Sequence, residues 1–160
     1  MAIQVGEKIP DVTLKTMTPE GMKNITTQEI FSGKRVVLFA VPGAFTPLCS
    51  AKHLPGYIEK ADEIKARGVD TVACVSVNDA FVMGSWGADR GAGDKVLMLA
   101  DGSADFSKAI GLDFDGSNFG MGVRSQRYAA VVEDGVVKTL AVEKPMQFEV
   151  SSAEAILKAL

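Results

Sequence analysis

The apolar run Arg35-Val36-Val37-Leu38-Phe39-Ala40-Val41 leads directly into the turn Pro42-Gly43-Ala44-Phe45-Thr46-Pro47-Leu48-Cys49-Ser50. The run is rich in β-forming residues and has no polar face, which is typical of a strand covered on both sides. An amphipathic pattern then continues from Ser50 to Arg67 and ends at Gly68, which predicts a helix. A buried strand that turns into a helix indicates an α/β fold.

The rest of the chain alternates strand and helix patterns until a hairpin close to its end. Asp134-Gly135 is its strongest short hairpin signal. Three strand–helix units, a hairpin and a last helix imply a mixed sheet with helices on both faces, as in a thioredoxin-like α/β sandwich. The other predicted elements are an extended lead-in at Val5–Leu14, a capped turn at Thr26–Phe31, strands at Val69–Val77 and Val96–Ala100, helices at Ala80–Trp86 and Ala104–Ile110, hairpin strands at Arg127–Val132 and Val136–Val142, and a helix at Ser151–Leu160.

The composition indicates one globular domain over residues 1–160. The chain has 47% hydrophobic and 23% charged residues, and no repeat or low-complexity tract divides it. Its net charge of −3 and its scattered Lys and Arg residues argue against a nucleic-acid partner. No apolar run approaches the roughly 18 residues of a membrane span.

The start of the chain lacks the basic and apolar regions of a secretory signal. Without such a signal, its two cysteines indicate cytoplasmic thiols rather than a disulfide framework. The single histidine excludes a histidine-rich metal site, and no CxxC or HExxH spacing occurs. We therefore expect a cytoplasmic protein without a metal or another cofactor.

Cys49 stands where the strand turns into the helix, and this position predicts a reactive sulfur. N–H groups at a helix start and the helix dipole favour thiolate over thiol. Thr46, three residues earlier, could donate to the thiolate or to a substrate oxygen, and it could also cap the helix. Pro42 and Pro47 stiffen the turn, and Pro42 could shield the sulfur from water. The alternative is that Cys49 is a small buried hydrophobe.

His53 and Cys74 are two further candidates. His53 would share a helix face with Cys49, which suggests a Cys–His dyad and hence a thiol hydrolase or acyltransferase. The sequence identifies no third group to orient the imidazole, so the other interpretation is an exposed histidine on the helix face. Cys74 lies inside a predicted strand, where a buried thiol is expected; the alternative is a resolving thiol for Cys49.

Pro42, Thr46 and Cys49 form the spacing P-x-x-x-T-x-x-C, which is the active-site signature of peroxiredoxins. The fuller run VPGAFTPLCS closely resembles the peroxiredoxin-5 (type II) subfamily, although Leu48 stands where the subfamily more often has Thr. The resemblance covers nearly the whole chain. It continues through His53–Tyr57, Val75–Met83, Leu99–Gly102 and Arg124–Tyr128.

The resemblance implies that Cys49 is the peroxidatic cysteine and that Arg127 is the active-site arginine. A guanidinium stays charged and offers several donors, so it could hold the thiolate and polarise a hydroperoxide together. Thr46 and the backbone N–H groups of the turn would serve the other oxygen. Without the resemblance, an arginine before an apolar strand would indicate a solvated edge charge. Arg124 is expected on the opposite side, as possible further support.

The resemblance also bears on the reductant and on assembly. The C-terminal resolving cysteine of the subfamily is missing, since no residue from 141 to 160 is Cys. An external thiol is therefore expected to reduce the sulfenic acid, with glutathione or glutaredoxin favoured and thioredoxin possible. Relatives of this kind are typically homodimers, and Phe45, Leu112 and Phe119 are expected at an apolar rim, at a subunit contact or in the core. An alternative function is a peroxide sensor that passes its oxidation to a partner protein without turnover.

Overall fold

The computed structural model describes all residues from 1 to 160. Nine strands and five α-helices follow one another along the chain. They are β1 (Thr13–Thr18), β2 (Gly21–Thr26), α1 (Thr27–Phe31), β3 (Arg35–Ala40), α2 (Leu54–Lys65), β4 (Thr71–Ser76), α3 (Ala80–Arg90), β5 (Leu97–Ala100), α4 (Asp105–Ala109), β6 (Asp113–Asp115), β7 (Val123–Ser125), β8 (Tyr128–Glu133), β9 (Val136–Val142) and α5 (Ala153–Ala159). A π-helical turn at Cys49–His53 precedes α2, and a 3₁₀ turn at Ser117–Phe119 lies between β6 and β7.

Seven strands form one mixed sheet in the order β2-β1-β5-β4-β3-β8-β9, while β6 and β7 pair separately. The three central strands β5, β4 and β3 are parallel, and antiparallel pairs form both edges. The predicted thioredoxin-like architecture is confirmed. The sequence pattern predicts an antiparallel edge only near the end of the chain, whereas the structure has a second one, the β1–β2 hairpin.

Strand β3 is covered on both faces, as its apolar run predicted. Val37 and Phe39 pack into one core with α2, α3 and α5, while Val36 and Leu38 pack into the other with α1 and α4. Alternation of side chains along the strand distributes them between the two cores. Helices therefore lie on both faces of the sheet. None of them has the length and apolarity that a transmembrane segment requires.

The helix after the cysteine turn differs from its prediction of Ser50–Arg67. It starts as a short helical turn at residues 47–48, widens into the π-helical turn and ends at Lys65. Pro55 has no N–H to donate to the Ala51 carbonyl, and the Leu54 N–H donates to the Cys49 carbonyl five residues back. The wider turn places Cys49 and His53 at its two ends.

The pairing of β3 with β8 decides which distant residues meet. These strands are antiparallel, and Ala40 at the end of β3 lies opposite Tyr128 at the start of β8. Residues that follow β3 and residues that precede β8 therefore lie at the same end of the sheet. The cysteine turn and Arg127 are the two segments brought together there.

Candidate active site

The Cys49 sulfur is fully buried and accepts one hydrogen bond. Its residue is 0% exposed, and Nη2 of Arg127 donates to Sγ at 2.9 Å. A positively charged donor at this distance stabilises a thiolate. The prediction that helix N–H groups point at the sulfur is wrong. The helix already begins before Cys49, so the Ser50 N–H donates to the Thr46 carbonyl at 2.9 Å.

Arg127 is buried beside the sulfur and is not a solvated edge charge. Only 9% of the residue is exposed, and its guanidinium carbon lies 5.8 Å from the centre of the Phe148 ring. Its second nitrogen, Nη1, lies 2.6 Å from Nδ1 of His53. The guanidinium thus bridges the sulfur and the imidazole with two different nitrogens.

His53 is fully buried and neutral, which excludes both interpretations made from the sequence. Because a guanidinium can only donate, Nδ1 accepts from Arg127, and Nε2 carries the proton and donates to the Ser151 carbonyl at 3.0 Å. Burial, helped by the positive charge of Arg127, lowers the pKa of His53 to about 3. The exposed histidine is therefore wrong, and so is the Cys–His dyad, since both ring nitrogens are engaged away from the sulfur.

Thr46 presents an acceptor rather than a donor to the site. Its Oγ1 donates to the Gly43 carbonyl at 2.7 Å, so its proton is engaged within the turn. The hydroxyl makes neither the predicted bond to the Cys49 sulfur nor an N-cap bond. The lone pairs on Oγ1 remain available to accept a proton from a substrate.

The cysteine turn is braced by residues that the sequence analysis did not assign to the site. Asn78 follows β4 and accepts from the Ala44 N–H at 3.0 Å. Phe45 next to it has a φ of +64°, a left-handed conformation that requires such support. A polar residue directly after the neighbouring parallel strand was the available signal, because the carboxyl ends of parallel strands meet at one edge.

Arg124 lies against the same turn. Its Nε donates to the Met121 carbonyl at 2.9 Å, and its Nη1 lies 3.3 Å from where a Cβ on Gly43 would stand. That Cβ would also lie 3.1 Å from Thr46 Cγ2, so glycine lets the turn close tightly here. Pro42, directly before Gly43, is half-buried. That Pro42 shields the Cys49 sulfur from water stays a prediction.

Two further buried residues near the site are Trp86 and Cys74. Trp86 is fully buried, and its indole N–H donates to Ser50 Oγ at 2.9 Å. Cys74 is buried inside β4, which confirms its expected placement. Burial, and to a lesser degree Cys49, raises the pKa of the Cys74 thiol well above its usual range. Cys74 is therefore a poor nucleophile where it stands.

Comparison with known proteins places the chain among thiol redox proteins. The Redoxin family model matches residues 4–157. Peroxiredoxin-2E-2 of rice is 54% identical over 99% of this chain and 72% of its own length, and peroxiredoxin-2B of Arabidopsis thaliana is 45% identical over 99% and 98%. The structure of reduced Prx3 from Vibrio vulnificus in complex with H₂O₂ superposes with a TM-score of 0.95 at 57% identity, covering 98% of each chain.

Proposed function

The chain belongs to the peroxiredoxins of the type II, or peroxiredoxin-5, subfamily, and we propose that Cys49 is the residue whose sulfur reduces the hydroperoxide. The activity is that of a thiol-dependent peroxidase, which uses a peroxide and a thiol reductant. One observation carries the assignment to Cys49: this buried sulfur accepts a hydrogen bond from the buried guanidinium of Arg127. Cys74, the only other thiol, lacks any such partner.

In the first step the Cys49 thiolate attacks the terminal oxygen of a hydroperoxide, ROOH. A sulfur lone pair forms the S–O bond, and the O–O bonding pair leaves with the other oxygen as RO⁻. The products are the sulfenic acid Cys49–SOH and, after RO⁻ takes a proton from solvent, the alcohol ROH. Sulfur is oxidised by two electrons and the peroxide is reduced by two. For hydrogen peroxide the leaving product is water.

Arg127 and Thr46 each interact with a different oxygen of the hydroperoxide. The guanidinium can hold the thiolate and donate to the oxygen on which negative charge develops, in a site buried from bulk solvent. Thr46 Oγ1, whose own proton is held by Gly43, accepts the O–H of the hydroperoxide and aligns it. Pro42 shields the sulfur from bulk solvent. The substrate class we propose is hydrogen peroxide together with organic hydroperoxides.

An external thiol completes the cycle, and we favour glutathione or glutaredoxin over thioredoxin. The first thiol condenses with Cys49–SOH to give a mixed disulfide and water. A second thiol then releases Cys49 as a thiol and leaves as a disulfide. Cys74 is held inside β4 and no cysteine occurs from 141 to 160, so the chain offers no ready resolving partner.

We further propose a cytoplasmic, single-domain protein that acts as a homodimer. Phe45 in the cysteine turn and Phe119 are 49% and 71% exposed, whereas Leu112 is buried in the core. Exposed aromatic side chains of this size are enriched at protein interfaces. Gel filtration with light scattering at micromolar concentration tests this assembly, and a monomer at that concentration would contradict it.

The test of the assignment compares Cys49→Ser with the matched variant Cys74→Ser. With glutathione and glutaredoxin supplied, we expect Cys49→Ser to consume no peroxide and Cys74→Ser to turn over many times per subunit. Intact mass after one equivalent of peroxide should show one added oxygen, or a glutathione adduct when glutathione is present. A Cys49–Cys74 disulfide would contradict the external reductant, and a single turnover would favour the peroxide sensor.

A further inference from the structure

A single carboxylate oxygen holds the loop that follows β9. Oε2 of Glu143 accepts from the N–H groups of Glu149 and Val150 at 2.8 and 2.9 Å. It also accepts from Ser151 twice, from the N–H at 2.8 Å and from the hydroxyl at 2.6 Å. The two bonds from Glu149 and Val150 are the only hydrogen bonds that join residues 144–150 to another part of the chain.

The Glu143 side chain is buried, and its carboxylate stays ionised. Glu143 is only 8% exposed. Burial by itself raises the pKa of its carboxyl, but the hydrogen bonds from Ser151, Glu149 and Val150 outweigh burial and lower that pKa below its usual value. The carboxylate therefore accepts these four bonds at neutral pH.

The loop it holds ends at the carbonyl that orients His53. The Ser151 carbonyl accepts from Nε2 of His53 at 3.0 Å and from the Tyr57 hydroxyl at 2.7 Å. Ser151 itself is fully buried. Since the N–H and the hydroxyl of Ser151 both donate to Glu143, the carboxylate fixes the residue whose carbonyl sets the tautomer of the histidine.

His53 in turn holds the guanidinium at the sulfur. With its proton fixed on Nε2, the ring offers Nδ1 as an acceptor to Nη1 of Arg127. The other guanidinium nitrogen is then aimed at Cys49. In the other tautomer Nδ1 would carry a proton and could not accept from Arg127. A flipped ring would instead face its Nε2 proton toward the guanidinium, which can only donate.

We propose that Glu143 is a positioning residue for the peroxide reaction. Its carboxylate fixes Ser151, Ser151 orients His53, and His53 aligns the guanidinium. The inference rests on the proposed function only where it connects the guanidinium to peroxide reduction. Glu143 touches neither the sulfur nor the substrate, so its effect passes through Arg127.

The test compares Glu143→Gln with Glu149→Gln. Glu149 is the matched control because it lies in the same loop and its side chain makes no hydrogen bond or ion pair. Because a misplacement of about 1 Å in a reacting group costs on the order of 100-fold, we expect Glu143→Gln to slow Cys49 oxidation by hydrogen peroxide about 10- to 100-fold. Glu149→Gln should stay within about twofold of the parent. Rates are measured by competition with a haem peroxidase. Ser151→Ala, a milder change, should give a smaller loss in the same direction.

A double-mutant cycle separates positioning from general destabilisation. His53→Leu removes both ring nitrogens at similar volume, so adding Glu143→Gln to it should cost less than about twofold further. Losses that simply multiply would overturn the proposal, because the carboxylate would then act by another route.

A spectroscopic measurement distinguishes failure of this proposal from failure of the proposed function. In ¹⁵N spectra we expect Glu143→Gln to shift the His53 ring and Arg127 side-chain signals. Unchanged signals and an unchanged rate would overturn the positioning role. Shifted signals with an unchanged rate would show that Glu143 orients the guanidinium but that Arg127 takes no part in peroxide reduction, and the proposed function would fail there.

Discussion

Nη2 of Arg127 lies 2.9 Å from the sulfur of Cys49, although 78 positions separate the two residues in the chain. The contact follows from the antiparallel pairing of β3 with β8, which sets Ala40 opposite Tyr128. Cys49 is carried by the turn after one strand, and Arg127 directly precedes the other. The charged partner of the sulfur is thus supplied by the sheet, and it is absent from any local fragment of the sequence.

Arg127→Gln should slow Cys49 oxidation by hydrogen peroxide by about 100-fold or more, as loss of one preorganised donor to a developing charge does elsewhere. The matched control is Arg35→Gln, which removes an arginine from the first residue of β3, where it pairs with Glu133 at 3.1 Å. That variant should stay within about twofold of the parent. Stopped-flow kinetics measure both, and equal losses in the two variants would contradict a specific role for Arg127.

Thr46→Val and Thr46→Ser separate the hydroxyl from the shape of the side chain. Valine keeps the shape but loses the oxygen that we propose accepts from the hydroperoxide, so we expect the peroxide rate to fall about 10- to 100-fold. Serine keeps the hydroxyl and its bond to Gly43, and it should retain most of the rate. A valine variant as fast as the parent would show that Oγ1 takes no part in the reaction.

His53 should make the folded chain sensitive to mild acid. The unfolded chain binds a proton at this histidine near pH 6.5, whereas its folded pKa is about 3, so acid favours unfolding between these values. From pH 6.5 to pH 5 this loss is roughly 1.5 kcal/mol in the free energy of unfolding. Urea unfolding at both pH values should show it in the parent but not in His53→Leu. The same pH dependence in both proteins would assign it to other groups.

Ser50→Ala should destabilise the helix start without touching the sulfur. The indole N–H of Trp86 would lose its partner at 2.9 Å in a fully buried site. An unpaired buried donor costs about 1–3 kcal/mol in the free energy of unfolding. Ser103→Ala changes an exposed serine and should stay within about 0.5 kcal/mol of the parent. Equal stability of Ser50→Ala and the parent would contradict this role.

The sequence predicted correctly those elements that are stabilised by residues close together in the chain. Thr26 and Glu29 form the reciprocal capping box that the predicted turn at Thr26–Phe31 required. Asp134 and Gly135 both take positive φ in the predicted hairpin turn. The buried run at β3 was equally clear, because a strand covered on both faces has no polar alternation.

What the sequence did not reveal depends on contacts between distant segments. The β1–β2 hairpin forms a half-exposed edge in which Lys and Thr interrupt the apolar residues, so its pattern is weak. The local sequence around His53 is compatible with an exposed position, but the loop before α5 covers the ring, and the Ser151 carbonyl accepts a hydrogen bond from it. A buried histidine and an exposed one have the same local sequence, and only the fold distinguishes them.

Because Cys49 is completely buried, we expect the proposed peroxide and thiol substrates to reach its sulfur at rates that depend on their size. Hydrogen peroxide is hardly larger than water and needs only a narrow passage to the sulfur. For the proposed glutathione or glutaredoxin, we expect that the first turns of the helix must unwind before the thiol can reach the sulfur. Reduction by bulky thiols should therefore saturate with their concentration, at a plateau set by the opening rate of that helix. By the same reasoning, bulky alkylating reagents should modify Cys49 more slowly than hydrogen peroxide oxidises it.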